Sequence, residues 1–489
     1  MSIDHPQIAL SDGSNHLRIE ALTAAVADER RWLDAIAPQD ARFALLADNG
    51  IAWAVADRAL HDCRRVNVPL PGYFTPTQLE HVLQSASIDL ILTDSPQRLM
   101  GTGNGWRTIG AAPGSGLLVL RRAAVGSSRA PLPAGTTKIT FTSGSTGQPK
   151  GVCLSAEAIE RVAQSLADAT GQLGVQRHLC LLPLATLLDN IAGLVAAPLN
   201  GVTTLVPSLA ETGINYAGVN VAALLACIER HEPGSMILVP ELLRVLVASI
   251  HRGWRAPQSL RFIAVGGATV APELLSQADA AGLPVYEGYG LSECASVVAL
   301  NTPSARRRGS VGRPLPHATV RIDGSGELHV SGTTMLGYLG DPIDTANREI
   351  ATGDLGHVDA DGYLYLHGRA KNLLITSLGR NVSPEWVERE LLAEAPIGQA
   401  VVFGDSRPWL TALIVPSQRS IAAHDIDAAI ERANSRLPNY AQIRSWLPAA
   451  AAFSVTDGTL TANGRPRRDA LAARYAADLD ATYATALAS

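Results

Sequence analysis

Charge is sparse in this sequence: 17% of its 489 residues are Asp, Glu, Lys or Arg, and the formal net charge is −5. With no positive excess, there is no overall field to attract a nucleic acid, and none is expected as a partner. Cysteine is equally sparse. Cys63, Cys153, Cys180, Cys227 and Cys294 are scattered, odd in number and never in a C-x-x-C pair, which argues against a disulfide framework and against a zinc site. Buried thiols in a reducing compartment are expected instead. Long apolar runs are missing. The longest stretches, such as residues 191–199, are broken by Gly and Pro and fall well short of the roughly 20 residues needed to cross a bilayer. Residues 1–10 include Asp4, His5 and Gln7, with neither a basic leader nor an apolar core, so the expectation is no stable membrane insertion and a cytoplasmic location. Internal repeats and low-complexity tracts are also lacking. What is present is a 47% hydrophobic fraction over a length that can bury a large core and suggests more than one domain.

From residue 41 onward, strand-like runs (43–46, 66–70, 90–93) alternate with helix-like ones (51–63, 75–85). The rhythm resumes with a helix over 155–168, a strand at 178–182, a helix over 187–197 and a strand at 202–206. A helix at 222–230, a strand at 236–239, a helix at 240–250 and a strand at 260–265 follow. Such alternation predicts parallel strands with helical crossovers, hence an α/β body of layered subdomains. Between about 306 and 367 the chain changes to short extended segments split by glycines, which fits a small β subdomain. After Lys371, a helix (384–394), two strands (400–403, 410–415) and a helix (426–437) read as a compact α+β unit. The predicted organisation is a large N-terminal domain over 1–370 and a small C-terminal domain over 371–489.

The most informative stretch is Thr140-Phe-Thr-Ser-Gly-Ser-Thr-Gly-Gln-Pro-Lys150-Gly151. A β-rich run empties into Thr142, Ser143, Ser145 and Thr146, interleaved with Gly144 and Gly147, and then reaches Lys150. Glycines let backbone N–H groups turn toward an anion, hydroxyls add donors, and the lysine supplies a full positive charge, so the loop is suited to phosphate. It is not the common P-loop, in which Ser or Thr directly follows the lysine; here Gly151 does. Further on, Gly266-Gly267-Ala268 follows an apolar strand and permits close backbone approach. Tyr286-Glu287-Gly288-Tyr289-Gly290-Leu291-Ser292-Glu293, Thr352-Gly353-Asp354 and Gly368-Arg369-Ala370-Lys371 come after it in order.

Together these stretches resemble the signatures of the adenylate-forming superfamily, which includes acyl- and aryl-CoA ligases, peptide-synthetase adenylation domains and luciferases. The resemblance covers about residue 40 to the end, and its wording is nearest to bacterial acyl-CoA-synthetase-like ligases. It implies that the 142–150 loop binds the ATP phosphates. Glu287 and the Gly266–Ala268 strand end would meet adenine, with Gly288 and Gly290 beneath it, and Tyr289 would stack on it. Ser292 would touch the α-phosphate and Glu293 would help hold Mg²⁺, a hard cation that prefers carboxylate oxygen. Asp354 would accept hydrogen bonds from the ribose hydroxyls with Arg369 beside it; a carboxylate offers several acceptor lone pairs to a diol. Lys371 would be the hinge of a mobile C-terminal domain, and Gly379 would line the tunnel of an acceptor thiol. Leu187, Leu188, Asp189, Asn190 and Gly266 would shape the acyl pocket, with Asp189 either facing a polar substituent or facing solvent.

One position departs from the family. Arg465, in Asn463-Gly464-Arg465-Pro-Arg-Arg468, stands where the adenylation lysine is expected, and Arg467 or Arg468 could substitute for it. The implied activity is ligation of a fatty or aryl acid: ATP and Mg²⁺ give an acyl-adenylate and pyrophosphate, and a thiol then displaces AMP. Coenzyme A or the phosphopantetheine of an acyl carrier protein would serve, and an amine or alcohol acceptor stays open. Lys150, Ser292, Glu293 and Arg465 would carry the chemistry. The rival reading is an adenylate-binding protein whose ligase activity is lost or altered at Arg465.

Overall fold

The computed structural model describes residues 8–99, 105–123, 129–143, 149–215, 218–268, 270–341, 349–376, 381–461 and 464–484. The strand Arg42–Leu46 is buried along its whole length, as near-continuous apolar runs in parallel sheets are. It pairs in parallel with Val66–Pro69 on one side and Leu90–Thr93 on the other. The crossovers are the helices Ile51–Asp62 and Pro76–Ser85. The second begins sharply because Thr75 and Gln78 form a reciprocal capping box ahead of Pro76. On one flank this eight-stranded sheet ends in the hairpin Thr136–Ser143 and Pro149–Ser155, joined by Gly337–Tyr338.

The second sheet has nine strands, with Val285–Leu291, Phe262–Val265, Ser235–Leu238, Arg177–Leu179 and Thr203–Leu205 as successive neighbours. Apolar side chains from Pro149–Ser155, from the helix Ala156–Thr170 and from Phe262 share one core cluster, which ties the two sheets together. Four antiparallel strands, Ala318–Ile322, Glu327–Gly332, Ile350–Val358 and Leu364–Arg369, make the small β layer expected in the 306–367 region. The last unit packs the helices Pro384–Leu392 and Ala423–Ser435 on the sheet Ile397–Phe403, Leu410–Pro416 and Ile443–Pro448.

Two features depart from the sequence reading. The chain is structured well before residue 41: Ile8–Ser11 and His16–Arg18 extend the second sheet, and the helix Ile19–Ile36 buries Val26, Glu29 and Leu33. The helix expected over 187–197 is not uniform. Leu187–Ile191 is α, Ala192–Ala196 is π, and Ala197–Leu199 returns to α. The π turn displaces a carbonyl, and Thr204 Oγ1 satisfies one by donating to Gly193 O at 2.7 Å. A Cβ on Gly193 would lie 2.4 Å from Cys180 Sγ, so only glycine allows this helix to sit so close to the sheet.

Candidate active site

Across the Thr136–Ser143 hairpin, Thr142 is the register partner of Lys150. Gly144, Ser145, Thr146 and Gly147 of the expected phosphate loop lie outside the described residues, as do the side chain of Ser143 and the expected tunnel residue Gly379. Lys150 is exposed, with its ammonium 5.7 Å from the centre of the Tyr338 ring. The Tyr338 hydroxyl donates to Glu293 Oε1 at 2.9 Å. Lys150, Tyr338 and Glu293 therefore form one polar line beside Ser292. Glu293 sits in the single 3₁₀ turn Ser292–Cys294 and belongs to none of the three-residue His, Cys, Asp or Glu clusters among the described residues. It would act as a lone carboxylate, which suits Mg²⁺ held chiefly by phosphate oxygens.

Strand pairing assembles the next group. Asp354 and Arg369 are register partners on adjacent strands. Arg369 Nε lies 2.7 Å from Asp354 Oδ1, and the Tyr289 hydroxyl donates to Asp354 Oδ2 at 2.6 Å. Burial and the Asp354 charge hold the Tyr289 phenol well above its ordinary value. The ring expected to stack on adenine is thus also the link between the Gly288–Ser292 motif and Asp354, a contact across 65 residues that no local pattern announces. In the same motif, a Cβ on Gly290 would fall 1.7 Å from Ser296 O, so glycine is obligatory there. Ser296 itself is buried at φ 98° with an unpartnered hydroxyl.

The C-terminal unit reaches this group through Arg465, whose Nε donates to Gly267 O at 2.7 Å. Burial pushes the Arg465 guanidinium below its ordinary pKa, with Arg369 adding to the effect and Asp354 and Tyr289 opposing it. The neighbouring arginines separate in role. Arg467 lines the same cavity as Arg465, whereas Arg468 turns into its own unit, donating to Val402 O at 3.2 Å and pairing with Glu388. Lys371, the expected hinge, is exposed in the 3₁₀ turn Ala370–Asn372.

Thr142, Gly266, Gly267, Gly288, Tyr289, Gly290, Ser292 and Arg465 open onto one cavity of about 730 Å³. It extends along Leu187, Leu188 and Phe262 to Met236, His178 and Ser235, and its lining also includes the exposed Gly171 and Asn200. Ala268, Lys150, Glu293, Asp354 and Arg369 stand around it without lining it. Two expected pocket residues are corrected. Asp189 and Asn190 do not line the cavity and do not face solvent; they are 0% and 1% exposed and turned to buried polar partners. Asp189 Oδ2 accepts from the Leu182 amide at 2.8 Å, and Oδ1 lies 3.4 Å from His178 Nε2. Burial raises the Asp189 pKa, with His178 and the Leu182 amide opposing. Asn190 Oδ1 accepts from Lys138 Nζ at 2.6 Å, and its Nδ2 donates to Asp57 at 2.9 Å. Glu287, expected at adenine, is also absent from the lining; burial pushes its carboxyl up to about 8, with Arg389 and the Val270 amide opposing. The cavity's inner residues were not anticipated, since His178, Ser235 and Met236 sit in strand runs without a distinguishing spacing.

The fold and this two-part cavity define a nucleotide-binding enzyme of layered α/β construction with a capping C-terminal unit. A family model described as AMP-binding enzyme matches residues 7–339, and one described as AMP-binding enzyme C-terminal domain matches 371–487. The chain belongs to the AMP-binding enzyme family, within the adenylate-forming superfamily. A long-chain-fatty-acid–CoA ligase (FadD15) of Mycobacterium bovis is 27% identical over 88% of this chain and 86% of its own. The anthranilate–CoA ligase AuaEII in complex with anthranoyl-AMP superposes with a TM-score of 0.79 at 18% identity, covering 97% of this chain and 95% of that one. The o-succinylbenzoate coenzyme A synthetase of Bacillus subtilis, in complex with ATP and magnesium, gives 0.76 at 24% identity over 96% and 97%.

Proposed function

We propose that this protein is an ATP-dependent ligase that activates a fatty or aryl carboxylic acid as its acyl-adenylate, releases pyrophosphate, and passes the acyl group to a thiol. The observation that carries the reading is the single cavity in which an apolar interior meets a polar mouth, with Arg465 brought onto Gly267 O at that mouth. The carboxylate is itself the nucleophile, so the protein needs to position it and neutralise charge and needs no general base. In this reading Thr142, Lys150 and Ser292 hold phosphate oxygens, and Asp354 and Arg369 hold the ribose. Arg465 offers its positive charge where carboxylate and α-phosphate meet. Mg²⁺, held by Glu293, would shield the phosphates during substitution.

The acceptor is the thiol of coenzyme A or of a carrier-protein pantetheine, and its transfer step follows rotation of the C-terminal unit about Lys371. Among the described residues, no helix is long and apolar enough to cross a membrane. Mixing the protein with ATP, Mg²⁺ and a panel of carboxylic acids should release pyrophosphate and AMP, with adenylate and thioester detected by mass. ADP as the main product would overturn the reading. Arg465 in the lysine position keeps a second reading alive, a protein that binds adenylate without making it. Tight adenylate binding without pyrophosphate release from any acid would establish that alternative.

A further inference from the structure

The lining of the cavity away from the phosphate-site residues is not uniformly apolar. His178 and Ser235 are register partners on the parallel strands Arg177–Leu179 and Ser235–Leu238. Both line the cavity although they are only 6% and 8% exposed. His178 Nδ1 is 2.9 Å from Ser235 Oγ, and on the other edge of the ring Nε2 is 3.4 Å from Asp189 Oδ1. Asp189 is wholly buried, and its second oxygen is taken by the Leu182 amide.

The proton positions follow from the state of Asp189: burial raises its pKa, while the His178 ring and the Leu182 amide oppose. With the carboxylate ionised it only accepts, the imidazole proton resides on Nε2, and Nδ1 presents its lone pair to the Ser235 hydroxyl. Ser235 then has no proton to spare. Its oxygen keeps acceptor capacity that no donor among the described residues uses. A hydroxyl donor reaching that free lone pair would gain a hydrogen bond inside the cavity.

We propose that Ser235, oriented by His178 and Asp189, selects carboxylic acids that carry a hydroxyl group along the acyl chain, receiving that hydroxyl as a hydrogen-bond donor. The inference rests on the ligase reading above. With Asp189 ionised it also predicts a polarity: a keto group accepts but cannot donate, and Ser235 has no free proton for it.

Carboxylate-dependent ATP–pyrophosphate exchange tests this with saturated acids, their monohydroxy positional isomers and the matching keto acids. At one hydroxyl position, kcat/KM should exceed that of the parent acid by about tenfold or more, since sites built around a substrate hydroxyl discriminate strongly against its absence. The matching keto acid should show no gain. In Ser235→Ala the hydroxy-to-parent ratio should fall to about one, while Ser235→Thr, which keeps a hydroxyl, should retain a clear preference. Parent acids that exchange with no isomer above them would overturn this proposal and leave the ligase reading intact, as would equal gains from keto acids. Persistence of the ratio in Ser235→Ala would also overturn it. Exchange with no acid at all would remove the ligase reading and this proposal together.

Discussion

The mouth and the interior of the cavity are built by opposite means. At the mouth, most polar groups are delivered by short local devices, Arg465 from the C-terminal unit excepted: Thr142 faces Lys150 across a hairpin, Asp354 faces Arg369 across adjacent strands, and Ser292 opens a single turn. In the interior, Leu187, Phe262 and Met236 come from elements distant in the chain, and a helix with a π turn defines the space between them. Groups that must present charge from a special backbone geometry leave a motif. Groups that merely bound a space leave none, because any apolar side chain of suitable volume would serve.

The comparison can be broken most forcefully behind the interior. The helix bearing Leu187 and Leu188 is pinned on its far side by Asn190, which shares hydrogen bonds with Lys138 and Asp57, while Asn67 also donates to Asp57 at 2.7 Å. Lys138 and Asp57 are 3% and 4% exposed. Lys138→Met would leave the Asp57 charge buried without its cation, at a cost of about 3–5 kcal/mol. A large fall in the urea midpoint is expected, and Lys138→Met combined with Asp57→Leu should recover much of it. A single variant that unfolds at the wild-type midpoint would mean that this network does not hold the interior together.

At the mouth the expected effects are smaller and fall on ligand rather than fold. Asp354→Ala removes a charged acceptor from the ribose site and should weaken ATP binding by about 1.5–3 kcal/mol, tenfold or more. Calorimetric titration with ATP measures it, and an unchanged affinity would reduce Asp354 to a partner for Tyr289 and Arg369. Arg465→Ala should lower pyrophosphate exchange by at least about tenfold, some 1.4 kcal/mol of transition-state stabilisation, while transfer from supplied acyl-adenylate changes little. Intact exchange in that variant would assign the Arg465–Gly267 contact to docking alone. Arg465→Lys separates charge from shape, since lysine keeps the point charge and loses the planar fork.

How far each region could be read follows from the same contrast. The alternation of strands and helices from residue 41 and the order of the motifs pointed to the two-domain α/β class. The caps at Thr75 and Ser155 are visible as hydroxyl residues ahead of helical runs. The helix Ile19–Ile36 was not read: its buried positions, Val26, Glu29 and Leu33, include a charged residue, so the apolar stripe is thin. The family resemblance places Asp189 and Asn190 in the pocket together with Leu187 and Leu188. On one short helix, however, Leu187 and Leu188 face the cavity while the next two side chains turn to Leu182, Lys138 and Asp57. Those partners lie far away in sequence, and no local pattern marks them.

Glu287 sharpens the comparison by belonging to the mouth in motif and to the interior in environment. It lies in the strand Val285–Leu291 beside Gly288, yet burial raises its carboxyl from an ordinary 4.5 to about 8, with Arg389 and the Val270 amide only partly offsetting the shift. Between those two values the folded chain keeps a proton that the unfolded chain has released. The folded state therefore binds more protons there, and stability must fall as pH rises through that window and level off above it. Glu287→Gln replaces the carboxyl with a group that does not titrate. Near pH 5 the variant should match the wild type, and near pH 7.5 it should be the more stable by on the order of 1 kcal/mol, since Glu287 is only partly shielded from solvent and water moderates the shift. Urea midpoints for both proteins across pH 5–8.5 would show the two curves separating as pH rises. Parallel curves would mean that Glu287 ionises as an ordinary surface carboxylate and belongs, like its neighbours in the motif, to the solvated mouth.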